Sequence, residues 1–205
     1  MTQFETPLQP TASFLGYCLK EAIPRPEWLK DPRVQRICSI SECMSKRPPN
    51  WIHRWNFNRV WCYDKIETAY TDVVDRDRFF IFAYIYFPLW FDPDGTVFPA
   101  AAECVFGARF PTFGKATLTP EFRFLGYDII GIDNITKESL HDPLRSATFS
   151  HSPLSCNHCS VDHPINENCL LTNWSDAVHA AHRFALDQPE PGPYVIIGVY
   201  ERRNQ

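Results

Sequence analysis

Residues 79–91 read FFIFAYIYFPLWF, thirteen consecutive residues with no charge among them. The run is short of the roughly 20 residues that a helix needs to cross a bilayer, and Pro88 interrupts it. Aromatic and β-branched side chains dominate, and Asp92-Pro-Asp-Gly95 follows as a turn signal. The stretch therefore predicts a strand covered on both faces, because a strand with one wet face alternates polar and apolar residues. A strand buried on both sides demands a sheet with material layered above and below it.

Upstream, Asp64 with Glu67 three residues on has the grammar of a helix start, and Ile66, Ala69, Tyr70, Val73 and Val74 then form one apolar stripe. Near the other end, Asn173 and Asp176 repeat that grammar before Trp174, Ala177, Val178, Ala181 and Ala185, and the prolines of residues 188–193 stop the helix. Strands are expected at 33–43, 97–114, 122–132 and 194–200. The fold class that results is α+β, a mostly antiparallel sheet with two main helices packed on it. Both halves offer a strand, an irregular stretch, a capped helix and an apolar strand, so a duplicated β-loop-α-β unit, with halves 33–120 and 121–205, fits the pattern. Residues 1–32, broken by five prolines, are expected as an N-terminal arm outside a single domain of 33–205. The connection 133–168 is expected to hang from the sheet rather than enter its interior.

The formal net charge is −4 and the basic residues are scattered, which argues against nucleic-acid binding. No membrane-spanning pattern occurs, and the N-terminal residues lack the basic-then-apolar order of a signal peptide, so a cytoplasmic location is expected. Eight cysteines in such a context are expected as free thiols. The sequence contains no Walker loop, GxGxxG, GxSxG or HExxH.

Ser150 to Cys169 reads SHSPLSCNHCSVDHPINENC and is the densest concentration of chemistry-bearing residues. Cys156 and Cys159 have the spacing of a zinc-binding pair, and His163 and Cys169 could complete four ligands. No cofactor is required by the pattern, and zinc is the one it admits. Alternatively, Cys156 could serve as a nucleophile with His158 or His163 as base. The reading favoured over both is a non-catalytic interaction or ligand-binding module of regulatory or immunity-protein type. Its contact surface would comprise Trp51, His53, Arg54, Trp55 and Arg59 together with Asn157 in the 150–169 loop, since tryptophan and arginine anchor interfaces. The partner, a protein or a small molecule, and the oligomeric state are not encoded in any motif.

Gly126-Tyr127-Asp128, Ser152-Pro-Leu-Ser-Cys156-Asn157 and Glu190-Pro-Gly-Pro-Tyr194, with Ser39-Ile-Ser-Glu-Cys43 and Trp51-Ile-His-Arg-Trp55 before them, resemble a family of small uncharacterised bacterial cytosolic proteins. The resemblance implies no activity. It implies that Cys159 is peculiar to this chain, and it places the conspicuous polar residues around Glu42/Cys43 and Ser155/Cys156/Asn157.

Overall fold

The computed structural model describes residues 6–21, 23–41, 62–63, 65–71, 78–106, 118, 120–140, 142, 147–157 and 159–203. The long strands are β1 (Ser13–Glu21), β4 (Phe79–Phe91), β6 (Phe122–Asp133) and β8 (Tyr194–Arg202), with short strands β2 (Ile23–Pro24), β3 (Arg36–Ile37), β5 (Val97–Pro99) and β7 (Thr148–Phe149). Helices are α1 (Ile66–Thr71), α2 (Ala102–Phe106), α3 (Pro153–Cys156) and α4 (Trp174–Asp187). The main sheet is antiparallel and curled, in the order β1-β4-β8-β6-β7 with β5 on β4, and β2 and β3 form a separate ribbon. The chain is thus α+β around an antiparallel sheet.

β4 occupies the span expected for it and is buried on both faces. On one face Tyr84, Tyr86 and Trp90 pack with Ile130, Val195 and Ile197 beneath Val105 and Phe106 of α2. On the other, Phe87, Ile129 and Ile196 pack with Ala177, Val178, Ala181 and Phe184 of α4, while Ala69 of α1 meets Leu19, Ile81 and Ala83. Continuous apolarity in β4 follows from this double coverage. Pro88 lacks a donor, its carbonyl accepts the Ala100 amide at 3.1 Å, and the β4–β8 register shifts between Phe87 and Phe91. α4 begins as its sequence requires: the Asn173 side chain accepts the Asp176 amide at 2.9 Å. It ends at Gln188, whose φ of 46° is left-handed and whose N–H returns to the Phe184 carbonyl.

Four expectations are corrected. Residues 13–21 are no arm: β1 pairs with β4 along nearly its whole length and buries six of its nine residues. Of the strand expected at 33–43, residues 42–43 lie outside the described residues, and among 33–41 only Arg36–Ile37 pairs as a strand; the amides of Gln35, Arg36 and Cys38 go to the carbonyls of Glu167 and Asn168 in a loop. Of the strand expected at 97–114, Val97–Pro99 is a strand but Ala102–Phe106 is a helix, because Ala102, Val105 and Phe106 turn one apolar side onto the sheet; residues 107–114 lie outside the described residues. The connection 133–168 is partly interior, with Ser152, Leu154, Ser155, Ser160 and Ile165 buried.

One tetrapeptide, Phe-Leu-Gly-Tyr, occurs in two strands, at 14–17 in β1 and 124–127 in β6. Each copy holds a register shift and a glycine at positive φ, 135° at Gly16 and 149° at Gly126. Each following tyrosine forms an isolated antiparallel bridge, Tyr17 with Tyr63 and Tyr127 with Leu171. α1 follows Tyr63 and α4 follows Leu171 at the same remove.

Candidate functional site

β6 is an apolar strand with one charged residue deep within it. Asp128 lies on the face shared with Ile130 and Ile132 and has no exposure to solvent. A carboxylate in that position is tolerable only with donors around it. Its Oδ2 accepts the Ser39 hydroxyl at 2.7 Å and the Ile40 amide at 3.0 Å; its Oδ1 accepts the Ser152 hydroxyl at 2.6 Å. Burial pushes the carboxyl pKa up, while these donors and the nearby Lys20 ammonium pull against the rise.

Lys20 on β1 is the counterpart. It is 1% exposed, and its Nζ donates to the carbonyls of Ser39, Ile40 and Ser41 at 3.2, 2.6 and 3.1 Å. An ammonium has three donors and no acceptor, so three converging carbonyls match it. Residues 39–41 are therefore gripped by an acid through amide and hydroxyl and by a base through carbonyls. Ser41 extends the network: its amide donates to Ser39 Oγ at 3.0 Å, and its hydroxyl donates to the Ser150 carbonyl at 3.2 Å and lies 3.7 Å from Cys156 Sγ.

Ser152 sits just before α3, and Pro153 opens that single turn, where a missing N–H costs nothing. The turn delivers Cys156 toward Ser41 and Ser155, and Asn157 Nδ2 donates to the Pro189 carbonyl at 2.6 Å. Gly192 approaches β6 so closely that a Cβ there would lie 2.8 Å from the Ile132 carbonyl. Four separated stretches, 39–41, 126–128, 152–157 and 189–194, thus converge on one end of β6.

No family model matches the chain, and no curated protein or solved structure matches it.

The residues singled out from the sequence are distributed unevenly around this centre. Cys156 and Asn157 belong to it. Cys159 sits in the next turn with Sγ 3.7 Å from the Asn157 carbonyl, and burial raises its thiol pKa. His163 packs edge-on against Phe184 at 5.0 Å, and burial pushes its pKa below the ordinary value. Cys169 is buried, donates toward the Leu154 carbonyl at 3.5 Å and has a raised pKa for the same reason. All four residues proposed as zinc ligands are described, and no three metal-ligating side chains gather among the described residues. Seven cysteines are free thiols among the described residues. Trp51, His53, Arg54, Trp55, Arg59, His158, Glu42 and Cys43 lie outside the described residues.

Sequence reasoning gave no role to Lys20, Ser39, Asp128 or Ser152. A signal was present: a lone aspartate inside FRFLGYDIIGI has to find a partner, since charged residues are almost never fully buried unpaired.

Proposed function

We propose that the protein is a non-catalytic cytosolic binding module, of regulatory or immunity-protein kind, that engages a partner through residues 51–61 and the 150–169 loop. The observation that supports this reading is the direction in which the polar groups face. Asp128 and Lys20 spend their hydrogen bonds on one another's neighbouring segments, inside the molecule, and neither reaches solvent. A catalytic acid or base must reach a substrate proton within hydrogen-bond distance; this pair instead fixes the chain at Ser41, from which residues 42–61 continue, beside the 150–157 segment.

We infer also that the chain is a duplicated unit, with a first half that begins at β1 rather than at residue 33 and a second that begins at β6. The repeated Phe-Leu-Gly-Tyr, its bulge and its tyrosine bridge support this, and α1 and α4 are then equivalent helices.

The test is affinity capture with the tagged full chain and with an Arg54→Ala/Trp55→Ala variant. Loss of the captured partner at an unchanged melting temperature is expected. Equal recovery by the variant would reject the surface.

A further inference from the structure

Far along β8 from the Asp128 network, Glu201 pairs in register with Arg123 of β6 and Phe82 of β4. It is 3% exposed. Arg36 donates to it from Nη1 at 2.6 Å and Nη2 at 2.9 Å, and Arg123 donates from Nη2 at 2.8 Å and Nε at 3.3 Å. A surface cleft of about 490 Å³ opens here, lined by Arg36, Phe80, Arg123, Glu201, Arg202 and Arg203. That volume falls in the range of small-molecule sites.

A structural ion pair needs one cation for each carboxylate, and this cleft holds more. Arg202 is engaged elsewhere, by Glu121 at 3.2 Å and over the Tyr70 ring. Arg36, Arg123 and Arg203 remain against Glu201 and, beside Arg36, Glu167, an excess of one positive charge among the described residues. Arg36 spends three donors, two on Glu201 and one on Asn168 Oδ1 at 2.8 Å, and Arg123 spends two; a guanidinium has five. The Arg123 side chain is 53% exposed, and the Arg203 side chain makes no hydrogen bond or ion pair among the described residues. Buried Glu201 thus holds two planar forks that keep donors unspent, and the fork geometry of arginine suits oxyanions.

We propose that this cleft binds the phosphate monoester of a small molecule, with the phosphate between Arg123 and Arg203 and the organic part against Phe80. A phosphate monoester carries close to two negative charges at neutral pH, and a dianion of that kind meets the excess positive charge here. Phe80 is half-buried beside Arg36 and supplies the apolar wall. A nucleic acid fits less well, because the whole chain bears a net charge of −4 and would repel a long polyanion.

Calorimetric titration of the full chain at low salt with AMP, inorganic phosphate and adenosine tests the proposal. Saturable AMP binding is expected, competed by phosphate, weakened by added salt and absent with adenosine. Arg123→Gln and Arg203→Gln should each weaken AMP binding about tenfold or more, the size of one lost charge-assisted hydrogen bond, and Arg203→Gln should do so at an unchanged melting temperature. Arg203→Gln removes no observed intramolecular contact and keeps the test valid should Arg123→Gln perturb folding. The proposal is overturned by absence of saturable AMP binding, by adenosine binding as tightly as AMP, or by wild-type AMP affinity in folded Arg203→Gln and Arg123→Gln proteins.

Discussion

Lys20 and Asp128 carry opposite charges into the interior, and neither touches the other's atoms directly; residues 39–41 and their dipoles lie between. Removing one charge leaves the other uncompensated, so Asp128→Ala should cost about 3–5 kcal/mol, read as a lowered urea midpoint. Adding Lys20→Met to that variant should cost less than the sum of the single losses, since the cycle removes a coupled pair; strict additivity would show the two groups to be independent. His163 makes a pH prediction. Its folded pKa lies below the ordinary 6.5 because burial disfavours the charged ring. The unfolded chain then binds the proton first, so stability falls as pH drops from about 6.5 toward the folded value. A His163→Phe variant, which keeps the ring contact with Phe184, should show a flatter slope in that window by thermal melts. Glu201 acts at lower pH. Burial raises its pKa, but the Arg36 and Arg123 guanidiniums outweigh burial and hold it below 4.5, so its contribution is present above 4.5 and is lost as pH falls through the folded value.

Among the elements, β6 is the one on which most depends, and its bulge sets which residues face inward. A Cβ at Gly126 would lie 2.7 Å from the Leu171 carbonyl and 2.7 Å from Leu170 Cβ, at a φ that side chains rarely adopt. Gly126→Ala should therefore destabilise by about 2–4 kcal/mol through combined strain and crowding, measured by denaturant unfolding. A cost below half a kcal/mol would mean the 165–171 segment yields freely. For α4, the side chain that closes its first turn is Asn173, and Asn173→Ala should cost about 1 kcal/mol. The same Asn-to-Asp spacing was readable without coordinates because a cap acts within four residues.

At the scale of the molecule, β4 and β8 are the central pair, and each is contributed by a different half. If the halves are copies of one unit, each still leaves a central strand edge and half a core exposed when alone. A fragment of residues 118–205 should lack a cooperative thermal transition, while the full chain shows one; an independently melting fragment would make the halves autonomous domains. The curled sheet also explains why both faces carry buried clusters: α2 closes one, and α1 and α4 pack against the other.

What could be read without coordinates was whatever depends on neighbours along the chain. FFIFAYIYFPLWF announces a doubly covered strand, and Asn173 announces a helix start. Position in the sheet could not be read. β1 looks like a proline-flanked arm until β4 supplies its partner, and 33–43 looks like a strand until its amides are seen to bond a loop. The repeat was visible as Phe-Leu-Gly-Tyr, yet pattern alone aligned the first half on residues 33–43. The Asp128 network joins Ser39 to Asp128 across 89 positions, and the arginine cleft joins Arg36 to Glu201 across 165. Such pairings depend on strand register and crossing loops, which local propensity does not encode, so only the tertiary structure decided which buried charges meet.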